Sequence, residues 1–177
     1  QSLGATVNDP SWKLTVVANA LLDDGQPFED AFASSSGIGG TFAAPNVIVI
    51  GQGSVRDLAH DADVMKHEFS HVASSVQIGS NLGPAHIDEL GRSPFSAAID
   101  EGIADYFACS DNDDAEWAEQ WFPRAGRDLT DTSKTCPESM NGNQHADGQL
   151  IGSACWSVRE LVGSDGRMVD PLHFQDE

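Results

Sequence analysis

The chain has 177 residues, a length for one domain, and 40% of them are hydrophobic, enough for a packed core. Its 28 acidic residues against 9 basic give a formal charge of −19, a surface that repels nucleic acid and anionic lipid and suits an acidic coat on a secreted or otherwise extracytoplasmic protein. No apolar run approaches the roughly 18 residues that would span a bilayer, so neither nucleic acid nor membrane is an expected partner, and a chain opening on Gln1 without a charged-then-apolar leader reads as a processed or trimmed product.

In chain order, "NDPSWKLTVVANALLDD" begins with a capping Asp9 and Pro10, and Trp12, Val16 and Ala20 share one face. That spacing predicts a helix ending near Gly25. The Gly/Ser-rich "FASSSGIGGTF" predicts a loop, and "NVIVIGQG", a β-branched run closed by glycines, predicts a strand over 46–50. "DADVMKHEFSHVASSV" predicts a second helix with Asp61 or Asp63 near its N-terminus. Residues 79–94, rich in Gly and Pro, predict a loop, and "FSAAIDEGIADYFACS" a third helix. "DNDDAEWAEQWF" predicts a short fourth helix, residues 123–143 an irregular stretch, and "HADGQLIGSACWSVRELVG" the last helix. Strands before residue 60 and helices after it make an α+β pattern in a single domain, 1–177. Three cysteines without a CxxC pair exclude a thiolate zinc site, and Cys109 and Cys136, which bracket the irregular stretch, are the expected disulfide.

Chemistry concentrates in His67-Glu68-x-x-His71. Residues four apart on a helix stand one turn above each other, so both imidazoles can face one ion, and tetrahedral zinc takes imidazole nitrogen well. Glu68 lies about 100° round the helix from His67, where it can reach a water held on the ion and act as general base. Random order of this composition gives roughly 0.01 such matches, which outweighs the plain alternative of two half-exposed histidines beside a surface glutamate. A catalytic zinc needs a third protein ligand. Glu101 and Asp105, four apart in an otherwise apolar helix, are the candidates: Glu101 to ligate, Asp105 to hold the second nitrogen of a ligand histidine. His60 reads as a surface or capping group, and His173 lies in a polar tail. The acidic run 110–116 is a secondary candidate for Ca2+, although it lacks the glycine and terminal glutamate of an EF-hand loop.

His67-Glu68-x-x-His71 followed by Glu101-x-x-x-Asp105 resembles the gluzincin metallopeptidases of the thermolysin and fungalysin branch. "PNVIVIGQG" is similar to the edge strand and glycine turn before the zinc helix of that family, and "HADGQLIGSACW" to the later segment whose leading histidine stabilises the transition state. The resemblance covers roughly residues 40–160. It implies a two-lobed zincin-like fold, with a small sheet and the zinc helix in a lobe of about 1–76. A reduced helical lobe follows over about 77–177. It implies a zinc-dependent endopeptidase acting on protein or peptide: Zn2+ on His67, His71 and Glu101, Glu68 as base, His145 on the oxyanion, and Asp105 behind a ligand histidine. Extended substrate would lie along strand 46–50 and its approach, Thr41, Phe42 and Ala43. The chain departs from the family in lacking a tyrosine between the zinc helix and the Glu101 helix; its only tyrosine is Tyr106, leaving His86 or Arg92 as substitutes. That gap keeps a competing reading in view, a catalytically silent zinc-binding interaction domain, against which the presence of Glu68 weighs. The Gly-x-Met-x-Asn stretch of the aminopeptidase branch is not in the sequence.

Overall fold

The computed structural model describes residues 11–35, 45–78, 86–88, 91–93, 95–121 and 126–162. Three strands, β1 (Thr15–Ala20), β2 (Ala31–Ser34) and β3 (Val47–Gly51), form a sheet in the order β1-β3-β2. β1 runs parallel to β3 and β2 antiparallel to it. A short 3-10 turn, Leu58–His60, leads into α1 (Ala62–Ile78). A hairpin, β4 (His86–Asp88) with β5 (Gly91–Ser93), precedes α2 (Phe95–Asn112). A second hairpin, β6 (Glu116–Trp117) with β7 (Arg127–Asp128), precedes α3 (Gln144–Val162). The molecule is α+β.

Several expectations are corrected. The helix expected from Asp9 to Gly25 is strand β1 where it is described; Asp9 and Pro10 lie outside the described residues. Thr15, Val16 and Val17 are β-branched in succession, which costs χ1 freedom on a helix and suits a pleated strand. β2 occupies the start of the expected Gly/Ser loop. β3 is not an edge but the centre of the sheet: it pairs on both sides and all five of its residues are buried. Its unbroken apolar run is the pattern of a strand covered on both faces. The expected fourth helix is absent: α2 continues to Asn112, and the chain then turns into the β6–β7 hairpin. The loop expected over 79–94 carries β4 and β5. All three cysteines are free thiols, Cys109 buried in the core and Cys136 exposed beside the Met140 sulfur, so the expected bridge does not form.

Two apolar clusters hold the elements together. Ile48 and Ile50 of β3 pack with Leu58 and Val72, with Trp12, Leu14 and Phe69 against them, which fixes α1 beneath the sheet. Val64, Tyr106, Cys109, Trp117, Leu129 and Trp156 form the second, joining α1, α2 and α3. The start of α1 is pinned twice over. Asp61 accepts the Asp63 N–H at 3.0 Å, and the Asp63 carboxylate accepts the Ala118 N–H at 2.8 Å and a bond from the Asn112 side chain.

Candidate metal centre and cleft

α1 presents His67, Glu68 and His71; α2 presents Asp100, Glu101 and Asp105; the first turn of α3 presents Gln144 and His145. α2 and α3 approach closely because glycines face each other: a Cβ on Gly102 would lie 2.3 Å from the Gly148 carbonyl oxygen, and one on Gly148 2.8 Å from the Ala98 oxygen. Only a residue without a side chain allows that separation. The α3 start is capped by Asn143, whose Oδ1 accepts the N–H groups of His145 and Ala146 at 3.1 Å, while buried Asp147 accepts those of Asn141 and Gly142 at 2.9 Å. Cap and glycine contact together bring His145 over Glu101.

His67, His71 and Glu101 offer ligand atoms that could hold one metal ion. His67 Nε2 and His71 Nε2 are 3.0 Å apart, and Glu101 Oε2 is 3.1 Å from the first and 3.6 Å from the second. Tetrahedral bonds of about 2.0–2.1 Å separate ligand atoms by about 3.3–3.4 Å, so the three edges bracket the required triangle. Glu101 Oε2 is buried and, despite three imidazole nitrogens within 3.6 Å, no aligned donor satisfies it. The distances are those of ion pairs, but the directions are not those of hydrogen bonds. A buried oxygen and two ring nitrogens aimed at a common point fit a cation better than they fit one another.

Each histidine has a carboxylate behind it. His71 Nδ1 is hydrogen-bonded to Asp100 Oδ2 at 2.9 Å, and Asp100 Oδ1 accepts from Ser74 Oγ at 3.0 Å. His67 Nδ1 stands 2.9 Å from Asp105 Oδ1, a bent contact rather than an aligned hydrogen bond. Asp105, fully buried, accepts from Nε and Nη2 of Arg127, each at 2.5 Å, and the Arg127 guanidinium lies 3.6 Å from the Trp117 ring centroid. Asp105, expected behind a ligand histidine, thus stands beside the second ring nitrogen of His67. Asp100 and Arg127 were not anticipated from sequence. Asp100 is adjacent to Glu101, but its partner is 29 residues away; Arg127 is one of only 9 basic residues, and its partner is 22 residues away.

The electrostatics follow. Burial opposes protonation of His71, but Asp100 and Glu101 outweigh it and hold the imidazole up at about 10. At His67 burial is likewise outweighed, by Asp105 and then Glu101, and the pKa is raised. Burial would raise the Glu101 and Asp105 carboxyls; His145, His67 and His71 beside Glu101, and His67 and Arg127 beside Asp105, bring both well below the usual range. Glu68 goes the other way: it is buried, desolvation pushes its carboxyl up, and the positive histidines only partly offset this. A carboxylate of raised pKa is the better proton acceptor.

These groups line a cleft of about 390 Å3 whose opposite wall is Asp30, Ala31, Phe32, Ala33 and Ser35 on and beside β2. His145, half-exposed, sits at its mouth with Nδ1 2.9 Å from Glu101 Oε2. Gln144 donates to Glu101 Oε1 at 3.1 Å. Thr41, Phe42 and Ala43 lie outside the described residues, as do His173 and the side chains of His86 and Arg92. Tyr106 is buried in the core and does not line the cleft. His60 is exposed at the end of the 3-10 turn. In the acidic run, Asp111 pairs with Lys66, Asp113 with Arg159 and Asp114 caps Glu116, so three of its carboxylates already have partners. No helix among the described residues is long and apolar enough to cross a membrane.

Comparison with protein-family models, curated protein sequences and solved structures returned no match. The chemistry of the cleft is therefore read from its own residues.

Proposed function

We propose that the chain is a zinc-dependent endopeptidase with a zincin-like catalytic fold, acting on protein or peptide outside the cytoplasm. The observation that carries this reading is the meeting of His67, His71 and Glu101 around one point with buried Glu68 one residue from the first ligand. Two imidazoles and a carboxylate suit zinc, and three protein ligands leave a position open for water. Bound there, zinc supplies Lewis acidity towards the scissile carbonyl and makes water a nucleophile near neutral pH.

The chain's own groups do the rest. Glu68 accepts the proton of the attacking water and returns it to the leaving amine, a task its burial suits. His145 stands where it can meet the developing oxyanion; with Nδ1 turned to Glu101, the atom left for a substrate oxygen is Nε2. Asp100 and Asp105 hold the two imidazoles in place. β2 is the edge strand of the sheet that lines the cleft, so extended substrate would pair there rather than on β3.

Removing metal with a chelator should abolish hydrolysis of an end-blocked unstructured peptide, and zinc should restore it. Zinc binding without any hydrolysis would favour a silent metal-binding domain instead.

A further inference from the structure

We propose that Asp30 gives the cleft a subsite for a cationic group of the substrate, an ammonium or guanidinium. This rests on the peptidase reading above. Asp30 immediately precedes β2, is exposed, and lines the same cleft as Glu68, His67 and His145. Its Oδ1 accepts the Ala31 N–H at 2.9 Å, which fixes the carboxylate at the start of the open strand. Its Oδ2 has no hydrogen-bond partner among the described residues.

The other carboxylates of the cleft are committed. Asp100 serves His71 and Ser74, Glu101 faces three imidazoles, and Glu68 is the base. Among the described residues no Lys or Arg lines the cleft. Five of the six described basic side chains are held elsewhere: Arg56 on the Gln120 carbonyl, Lys66 on Asp111, Arg127 on Asp105, Lys134 on Gln149 and Arg159 on Asp113; the sixth, Lys13, is exposed just before β1, at the opposite edge of the sheet from β2. Among the described residues no cation faces Asp30, so its carboxylate is open to one carried by the substrate. The net charge of −19 favours the approach of such a substrate, because a strongly negative protein attracts cations from solution.

The cation can come from a Lys or Arg side chain or from a free amino terminus. A zinc-loaded Glu68→Gln chain, which binds without turnover, separates the two. Three fluorescent peptides of one sequence frame are titrated: end-blocked with an internal Arg, end-blocked with Gln in its place, and the Gln peptide with a free amine. One of the cationic peptides should bind about fivefold more tightly than the neutral one, the upper end for a solvent-exposed charge pair. The tighter binder names the source. Asp30→Asn, at an exposed position and of equal size, should bring the ratio to near one. Equal binding of all three peptides, or a preference that survives Asp30→Asn, overturns the assignment and leaves the peptidase reading standing. Binding of none of them by the zinc-loaded chain overturns both.

Discussion

The two histidines of α1 are held by different means. His67 is buried, and its carboxylate, Asp105, is sealed in the core with its charge matched by Arg127, whose guanidinium in turn lies over the Trp117 ring. His71 is more open: its own side chain is 17% exposed and that of Asp100 is 22% exposed, and Asp100 is steadied by a serine hydroxyl rather than by a cation. A buried carboxylate needs a neutralising partner, because an unpaired charge in the interior is costly. Near the cleft mouth water screens the charge, and a hydroxyl is enough. One support is thus part of the fold, the other part of the site.

The sharpest way to break this contrast is Arg127→Ala. It strands the Asp105 charge in the core, which typically costs about 3–5 kcal/mol, and it frees the carboxylate that faces His67. Chemical denaturation of the metal-free variant should show the loss in stability, and the zinc affinity of whatever folds should fall as well. An Arg127→Ala chain as stable as the parent would mean that the buried support is ornamental.

Asp100→Asn should act through His71. The amide keeps the hydrogen-bonding shape but drops the charge behind His71, and losses of this kind weaken metal binding on the order of 10–100-fold. Above about pH 10, where His71 has shed its proton, stability without metal should move far less than for Arg127→Ala. Competition titration against a chromophoric chelator measures the affinity; a large fall in metal-free stability at that pH would erase the distinction between the two supports.

A third contrast is a drift with pH. His71 is raised from 6.5 to about 10 in the metal-free fold. A raised group contributes stability that is fully present below its unfolded value and is lost as pH rises through the folded one. The metal-free chain should therefore lose stability progressively between about pH 6.5 and 10, while zinc affinity climbs, since each imidazole must shed its proton to bind. Thermal melts across that range, with and without zinc, give both slopes. Asp100→Asn should flatten the metal-free slope, because Asp100 heads the influences that raise His71.

What could be read from sequence was local. α1, α2 and α3 repeat their apolar faces over four or more turns, and His67 and His71 sit four residues apart in α1, as do Glu101 and Asp105 in α2, so helices and candidate ligands were visible together. The residues behind the ligands were not, because Asp100–His71 and Arg127–Asp105 are meetings between separate elements. β1 misled because Trp12, Val16 and Ala20 satisfy a helical spacing, although the β-branched run Thr15–Val17 argued for strand. The central position of β3 was in view, since "VIVI" does not alternate. β2 is only four residues beside a serine tract, and its place at the cleft depends on pairing with β3.

The central claim is that one metal-binding point and one buried base do the chemistry, with Glu68 moving protons and taking no part in holding the ion. Zinc content and peptide turnover measured on one preparation of Glu68→Gln test it most directly. The account predicts about one zinc per chain with turnover lowered by about 10²–10⁴-fold, the usual cost of a lost general base. A variant that keeps most of its activity, or that loses its zinc along with it, would contradict that division of labour.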